Sequence, residues 1–263
     1  VFNKIEMKIS KIKRVLYSMS SIIIFLLLWQ ALSYFDLINS TLIPSPVKVF
    51  NAIVEWAMSG DLFRDFFDSI WRALIGLLIG AVVGIALGLF TGRDQRINLI
   101  LTPLLNVFKA FPPVAMLPVF ITMFGIGDFS KVFSIAFATI FPLWVNTHLG
   151  SSTIPIEFIR SASLLTKSKT KIFINVIIPA SMNSIIAGFR ISIAISFIML
   201  YVSELAGASS GLGYQIASSH LAYRMDKMLG ALFILGFASS LIDFAFNKLI
   251  KYFFPWVQLN KII

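Results

Sequence analysis

Cysteine is absent from this chain, which excludes a disulfide framework and any thiolate metal site. Histidine occurs only as His148 and His220, each isolated and each read as a satisfied interfacial residue, not a ligand. There is no Walker-type phosphate loop, no HExxH and no carboxylate pair at acid–base spacing. The chain is therefore not expected to hydrolyse a nucleotide, and no catalytic residue, metal or cofactor is expected. Charge is also scarce, at 13% of residues against about 25% in soluble domains. What fills the space is apolar: 58% of residues are hydrophobic and 26 are Phe, a membrane composition. The net charge of +10 does not indicate nucleic acid, because the basic residues fall in short runs between apolar stretches. That pattern is a membrane-orientation signal.

A helical span needs roughly 20 apolar residues. Six stretches qualify, at about 16–35, 69–91, 101–124, 131–150, 184–206 and 229–249. The basic start, VFNKIEMKISKIKR, leads into an apolar stretch without a small-residue cleavage site, so it reads as a retained first span. Phe111-Pro112-Pro113 and Pro118 interrupt the third span. Proline breaks the backbone ladder, so a bent or broken span buried by its neighbours is expected there.

Lys4, Lys8, Lys11, Lys13, Arg14, Arg93, Arg96, Arg160, Lys167, Lys169, Lys171, Lys248, Lys251 and Lys261 collect on one side of a six-span arrangement. The other side receives 36–68, where Lys48 and Arg64 meet Asp36, Glu55, Asp61, Asp65 and Asp68, together with 125–130 and 207–228. The positive-inside rule makes both termini and 151–180 cytoplasmic. On the outer side, Ser45-Pro46 followed by Val47, Phe50, Ile53, Val54 and Ala57 predicts an N-capped amphipathic helix near the membrane surface.

The second span carries Gly76, Gly80, Gly84, Gly88 and Gly92 at four-residue spacing. They share one helical face and admit close backbone approach, the mark of intramembrane helix packing in a multi-helix bundle. Arg190 and Glu204 sit near opposite ends of the fifth span and Asp243 lies in the sixth. Ionisable groups at such depth commonly face a bundle interior or a pathway, which makes Arg190 and Glu204 possible path residues. Interfacial placement of either is the alternative, and Asp243 is expected to pair with Lys248. Gly211 and Gly213 either bring backbone close to an outer gate or belong to an irregular loop.

The segment 151–180, SSTIPIEFIRSASLLTKSKTKIFINVIIPA, is polar and basic inside an apolar chain, so it must lie in water or against a partner. Pro155 can open a helix, with Glu157 near its positive end. Ile156, Ile159 and Leu164 form a rough apolar stripe, 166–170 a polar break, and 172–178 an apolar run ending at Pro179.

Its 157–179 part, followed by GFRISIAISFIMLYVSELAGASSGLGYQI, resembles the permease subunits of ABC importers, most closely the nitrate/sulfonate/taurine/bicarbonate type. That family carries a cytoplasmic loop of pattern E-A-A, three residues, G, nine residues, I-x-L-P, matched here by Arg160, Ser161, Ala162, Thr166, Val176, Ile178 and Pro179. Ala162 and Pro179 agree outright, Val176 and Ile178 conservatively, while Arg160 replaces the acid and Thr166 the glycine. If Thr166 takes the left-handed turn that glycine serves, it pays about 1 kcal/mol. SIWRALIGLLIGAVVGIALGLFTGR, AFPPVAMLPVFITMFGIGDFSKV and SGLGYQI resemble further parts of the family, in order, between about 61 and 256.

The resemblance implies an all-α membrane protein of about six transmembrane helices, with the type I ABC importer permease fold and cytoplasmic coupling helices. Residues 1–62 would hold a cytoplasmic tail, the first span and an outer amphipathic segment, 63–250 the transmembrane domain, and 251–263 a cytoplasmic tail. Implied partners are two copies of an ABC ATPase subunit, an extracytoplasmic solute-binding protein, a second copy of the permease, and lipid. ATP hydrolysis would come from the separate subunit, docked on a loop containing Glu157, Arg160, Ser161, Ala162, Thr166, Lys167 and Pro179. The implied cargo is a sulfonate, taurine or nitrate-like anion, with a neutral vitamin precursor or heterocycle as the alternative. A secondary transporter or channel would show two matching halves; none is apparent. An intramembrane enzyme would want paired polar groups, which the lone histidines do not supply.

Overall fold

The computed structural model describes residues 17, 20–35 and 37–256. The basic residues before Tyr17, as well as Asp36 and Lys261, lie outside the described residues. The chain divides into two units, 1–62 with 215–231 and 63–214 with 232–263.

In the first unit, α1 (Ser20–Tyr34) is a short apolar helix, and α2 spans Pro46–Met58. Ser45 caps α2, its hydroxyl accepting from the Lys48 amide, and Pro46 fills the first turn, as the sequence predicts. A second apolar face, beside the predicted one, is packed within the unit. Val49, Ala52 and Trp56 are buried, while Val47, Phe50 and Val54 are exposed. Gly60 follows at φ 82, the left-handed turn that lets the chain leave one helix and start the next. Arg224 donates to both Asp226 oxygens at 3.0 Å and to Glu55 at 3.4 Å. The Asp226 hydrogen bonds hold the Arg224 guanidinium pKa above its ordinary value. Lys227 lies 5.7 Å over the Trp56 ring.

The second unit is built on α3 (Asp61–Arg93), α4 (Gln95–Ala110), α5 (Pro113–Phe124), α6 (Asp128–Ser152), α7 (Ile156–Leu165), α8 (Lys169–Ile172), a π-helical segment (Phe173–Ile177) and α9 (Ile178–Leu205). After α10 (Leu212–Leu221), α11 (Met225–Phe253) completes the order. Among the described residues, four helices are long and apolar enough to cross a membrane: 61–93, 128–152, 169–205 and 225–253.

The predicted third span is a pair, α4 and α5, bent by 95°. Pro112 and Pro113 supply no backbone donors and force the break. The pair starts earlier than predicted because the Asp94 carboxylate accepts from the Arg96 and Ile97 amides and caps α4. Only the second half is buried as expected: Leu117 and Phe120 are covered, whereas α4 has no buried residue. Counting the pair as one span gives five, with α1 a shorter apolar helix beside the predicted six.

The glycine ladder of α3 is matched by α6. A Cβ on Gly76 would lie 2.6 Å from Ile135 Cβ, on Gly84 2.6 Å from the Ile140 carbonyl, and on Gly88 2.8 Å from the Trp144 carbonyl. Gly80 and Gly92 meet the hydroxyls of Thr139 and Ser151. The face is used for packing between backbones, as small residues allow. α9 packs on an adjoining face of α6, where Gly188 approaches Asn146 and Leu143.

Buried hydroxyls satisfy themselves along their own helices: Ser181 to Ile177, Ser196 to Ile193 and Ser203 to Leu200 on α9, and Ser134 to Ser130 on α6. Thr91 accepts from Trp144 Nε1 at 3.1 Å and meets His148 Nδ1 at 2.9 Å, so His148 is a partnered helix residue.

Candidate functional site

Functional geometry gathers at the two ends of α9, whose 28 residues rise about 42 Å. At its start lies the polar segment read from sequence. Pro155 precedes α7, Glu157 is in the first turn, and Thr166 follows the last residue. Thr166 has φ −152 and ψ 140. This is extended backbone that any residue adopts, so the left-handed cost expected for a glycine replacement is not incurred. Helix α7 has no buried residue. Ile159 alone of the predicted stripe packs inward, against the Leu89, Ile154 and Ile177 cluster. Leu164 and Leu165 are each 89% exposed, and Phe158 is 59% exposed. Arg160, Ser161 and Lys167 are exposed beside them, and Ala162 is half-buried. The surface is therefore mixed basic and apolar, anchored by one isoleucine.

The 172–178 run is not a plain continuation of helix. Phe173–Ile177 is π-helical, with the Ile178 amide donating to the Phe173 carbonyl. Pro179 sits in the first turn of α9 and brings no N–H, so the ladder widens just before it. Phe173 stacks on Phe90 of α3 at 5.9 Å and 15°, tying the segment to that helix.

At the far end of α9, Glu204 is buried, not interfacial. Its carboxylate accepts from Arg72 Nη1, the Ser69 hydroxyl and the Gly213 amide, each at 2.8 Å. Arg72 also donates Nε to Asp128 at 2.7 Å and Nη1 to the Ser210 carbonyl at 2.9 Å. The Gly211 amide donates to Asp65 and the Leu212 amide to the Ser69 hydroxyl, both at 2.8 Å, and Ser210 donates to Asp68 at 2.6 Å. Lys131 completes the cluster 3.5 Å from Asp128. Consecutive amides of the 211–213 turn thus point into oxygen acceptors held by α3 and α9, a backbone nest closed by the protein's own side chains. Gly211 has φ 119, and a Cβ there would lie 2.5 Å from Glu204 Oε1. Glycine is required on both counts.

Arg72, Asp65, Ser69, Asp128 and Lys131 are the residues that sequence reasoning passed over. Asp65, Ser69 and Arg72 stand at helical spacing on α3, one acid and one base on a single face, and that periodicity was the available signal. Arg190 lies elsewhere, 3.5 Å from Asp243. The expected Asp243–Lys248 pair is replaced by this contact and by a hydrogen bond from Asn247.

Residues 80–259 match the family described as binding-protein-dependent transport system inner membrane component. The chain belongs to this family. It is 30% identical over 224 residues to a permease protein named for aliphatic sulfonates transport, SsuC of Bacillus subtilis (strain 168), covering 85% of this chain and 81% of that one. It is 25% identical over 249 residues to the taurine transport system permease protein TauC of Escherichia coli (strain K12), covering 93% and 90%. Its fold is similar to that of a chain in inward-facing conformations of the MetNI methionine ABC transporter, with TM-score 0.63 and 19% identity, covering 74% of this chain and 97% of that chain. The all-helical fold and the family expected from 157–179 and 188–216 are met. The family member is a multi-pass membrane permease component.

Proposed function

We propose that this permease works with two ATPase subunits, an extracytoplasmic solute-binding protein and a second copy of itself, importing a small sulfonate, taurine or nitrate-like anion. The chain supplies the path, and ATP hydrolysis belongs to the separate subunit. The observation that carries the reading is α7: a short helix leaves Phe158, Leu164 and Leu165 in the open beside Arg160 and, just past its end, Lys167. Apolar side chains exposed together beside basic groups mark an interaction surface. Glu157, Arg160, Ser161, Ala162, Thr166 and Lys167 form the contact, and Pro179 begins the helix that receives its movement.

In this reading both termini and α7 are cytoplasmic, 63–250 forms the transmembrane domain, and 251–263 is a tail. The exposed face of α4, with Leu99, Ile100 and Val107, suits the second copy. Glu204, Gly211 and Gly213 shape the outer end of the path by fixing the 207–213 turn, since the Glu204 carboxylate is already occupied. Arg190, a quarter exposed, is the cation left nearer the path. The cargo assignment is supported by SsuC and TauC, whose names give sulfonates and taurine.

The test is uptake of radiolabelled taurine and ethanesulfonate into proteoliposomes holding the permease and its ATPase. ATP-dependent accumulation that requires the binding protein and is competed by other sulfonates is expected. Uptake without ATP, driven by an ion gradient, would overturn the importer reading.

A further inference from the structure

Arg72, Lys131 and Arg190 are cations set into the spans, and each has a carboxylate at hand. Arg72 stands 2.7 Å from Asp128 and 2.8 Å from Glu204, Lys131 3.5 Å from Asp128, and Arg190 3.5 Å from Asp243. Lys109 of α4 differs. Among the described residues it makes no ion pair, and its ammonium lies 5.8 Å from the centre of the Trp144 ring. A charge at membrane depth without a counter-charge is costly unless it faces a bundle interior or a water-filled pathway.

Trp144 fixes the depth of that charge. Its indole is buried and donates Nε1 to Thr91 of α3 at 3.1 Å. It lies 8 residues from the Ser152 end of α6 and 16 from the Asp128 end, about 12 Å and 24 Å along the axis. An ammonium held over this ring is turned toward the bundle and not out to the lipid headgroups, where a lysine in a span otherwise snorkels. The rest of α4 leads up to it. Asn98, Thr102, Asn106 and Lys109 fall within about 80° around the helix, apart from the face that carries Leu99, Ile100 and Val107. Asn106 and Lys109 are exposed, so this polar strip is a wall open to water.

A second copy of the chain does not supply the missing acid. It brings the same carboxylates, and among the described residues the one set into the inner half of a span is Asp243, which Arg190 and Asn247 already hold. The counter-charge has to arrive from solution. A sulfonate or nitrate spreads its charge over three oxygens, and a lysine ammonium offers three donors on a flexible stem. One exposed cation without a closed cage also lets an anion leave again, as transit requires.

We infer that Lys109 receives the anionic group of the cargo in the inner half of the path, with the Asn106 amide one turn away as a second donor. The inference rests on the proposed anion-importer reading and deepens it.

The chain has no cysteine, so Lys109→Cys gives a unique thiol on which a charge can be rebuilt. The permease and its ATPase subunits are placed in proteoliposomes, and ATP-driven ethanesulfonate uptake is measured with the solute-binding protein present. Lys109→Gln and Lys109→Cys are each expected to lower uptake per ATP hydrolysed at least tenfold, as loss of one charge-assisted contact implies, with the melting temperature kept. Lys109→Arg is expected to retain most of the uptake. Aminoethyl methanethiosulfonate, which returns an ammonium to the Lys109→Cys thiol, is expected to restore uptake, and the neutral methyl reagent is not. Wild-type uptake in Lys109→Gln overturns the assignment. Equal restoration by the two reagents also overturns it, because bulk and not charge would then be the requirement. So does a thiol that neither reagent reaches in the cycling complex. If the unsubstituted complex accumulates no ethanesulfonate, the anion-importer reading itself fails, an outcome visible before any variant is made.

Discussion

Arg72 of α3 and Glu204 of α9 form a buried ion pair at 2.8 Å, with 5% and 0% of their side-chain surfaces exposed. Each is satisfied by further hydrogen bonds, which is the condition under which a buried pair is tolerated. Removing one partner leaves the other charged and unpaired. Arg72→Met and Glu204→Leu are each expected to cost about 3–5 kcal/mol, read as a fall in melting temperature and in yield of folded permease. The double variant is expected to be more stable than either single one, measured in the same detergent. Additive losses would show that the two groups do not interact.

Glycine packing makes a contrast within one chain. A Cβ at Gly84 meets the Ile140 carbonyl at 2.6 Å and Leu143 Cβ at 2.8 Å, whereas nothing lies within 4 Å of one at Gly236. Gly84→Ala is expected to destabilise by about 1–3 kcal/mol through overpacking, and Gly84→Leu to abolish assembly. Gly236→Ala is expected to be neutral or to stabilise by up to about 1 kcal/mol, since alanine is the better helix former. Thermal melts of the two alanine variants, with the yield of folded Gly84→Leu, provide the comparison. Equal behaviour of Gly84→Ala and Gly236→Ala would refute the α3–α6 seam.

The absence of cysteine makes topology directly measurable. Single cysteines at Ser168 and Ser59 are expected to react with an impermeant maleimide from opposite faces of the membrane, Ser168 from the cytoplasm. Labelling from the same face would refute the charge-derived orientation.

Energy coupling predicts a graded series at α7. Leu164→Ser with Leu165→Ser removes apolar surface worth about 1.5–3 kcal/mol for each side chain that becomes fully buried. At least tenfold weaker association of the ATPase is therefore expected. Arg160→Glu is expected to weaken association further if the guanidinium meets an acid on the partner. Replacing 160–166 by a Gly/Ser linker is expected to abolish both co-purification and coupled hydrolysis. A linker variant that still couples would remove α7 from the mechanism.

Much of the architecture was legible because hydrophobic runs and glycine periodicity report directly on burial. The spans at 131–150 and 229–249 lie inside α6 and α11, 184–206 overruns α9 by its capping residue alone, and the Ser45 cap was read from a single residue type. The ends were less legible because helices outrun their apolar runs. α3 starts at Asp61, so Asp65 is a helical core residue although it looks like a charge of an outer loop. Glu204 was visible as a costly ionisable group, but its partner lies 132 residues away and no local pattern joins them. Likewise, Thr166 avoids the turn a glycine would make because α7 ends directly into extended chain.

The hydroxyls buried in α9 bear on how that helix can travel. Ser181, Ser196 and Ser203 spend their donors on carbonyls of their own helix, and among the described residues the hydrogen bond from α9 to α6 is that of Ser192 to the Thr139 carbonyl, at 3.3 Å. Away from the Arg72 bridge between Asp128 of α6 and Glu204 of α9, a slip of one helix along the other therefore forfeits one weak polar bond, about 0.5–1.5 kcal/mol. The remaining resistance is steric, from side chains that must climb over one another. Friction along this seam is set by shape, while the charged knot at Arg72 acts as the fixed post about which such a slip has to turn.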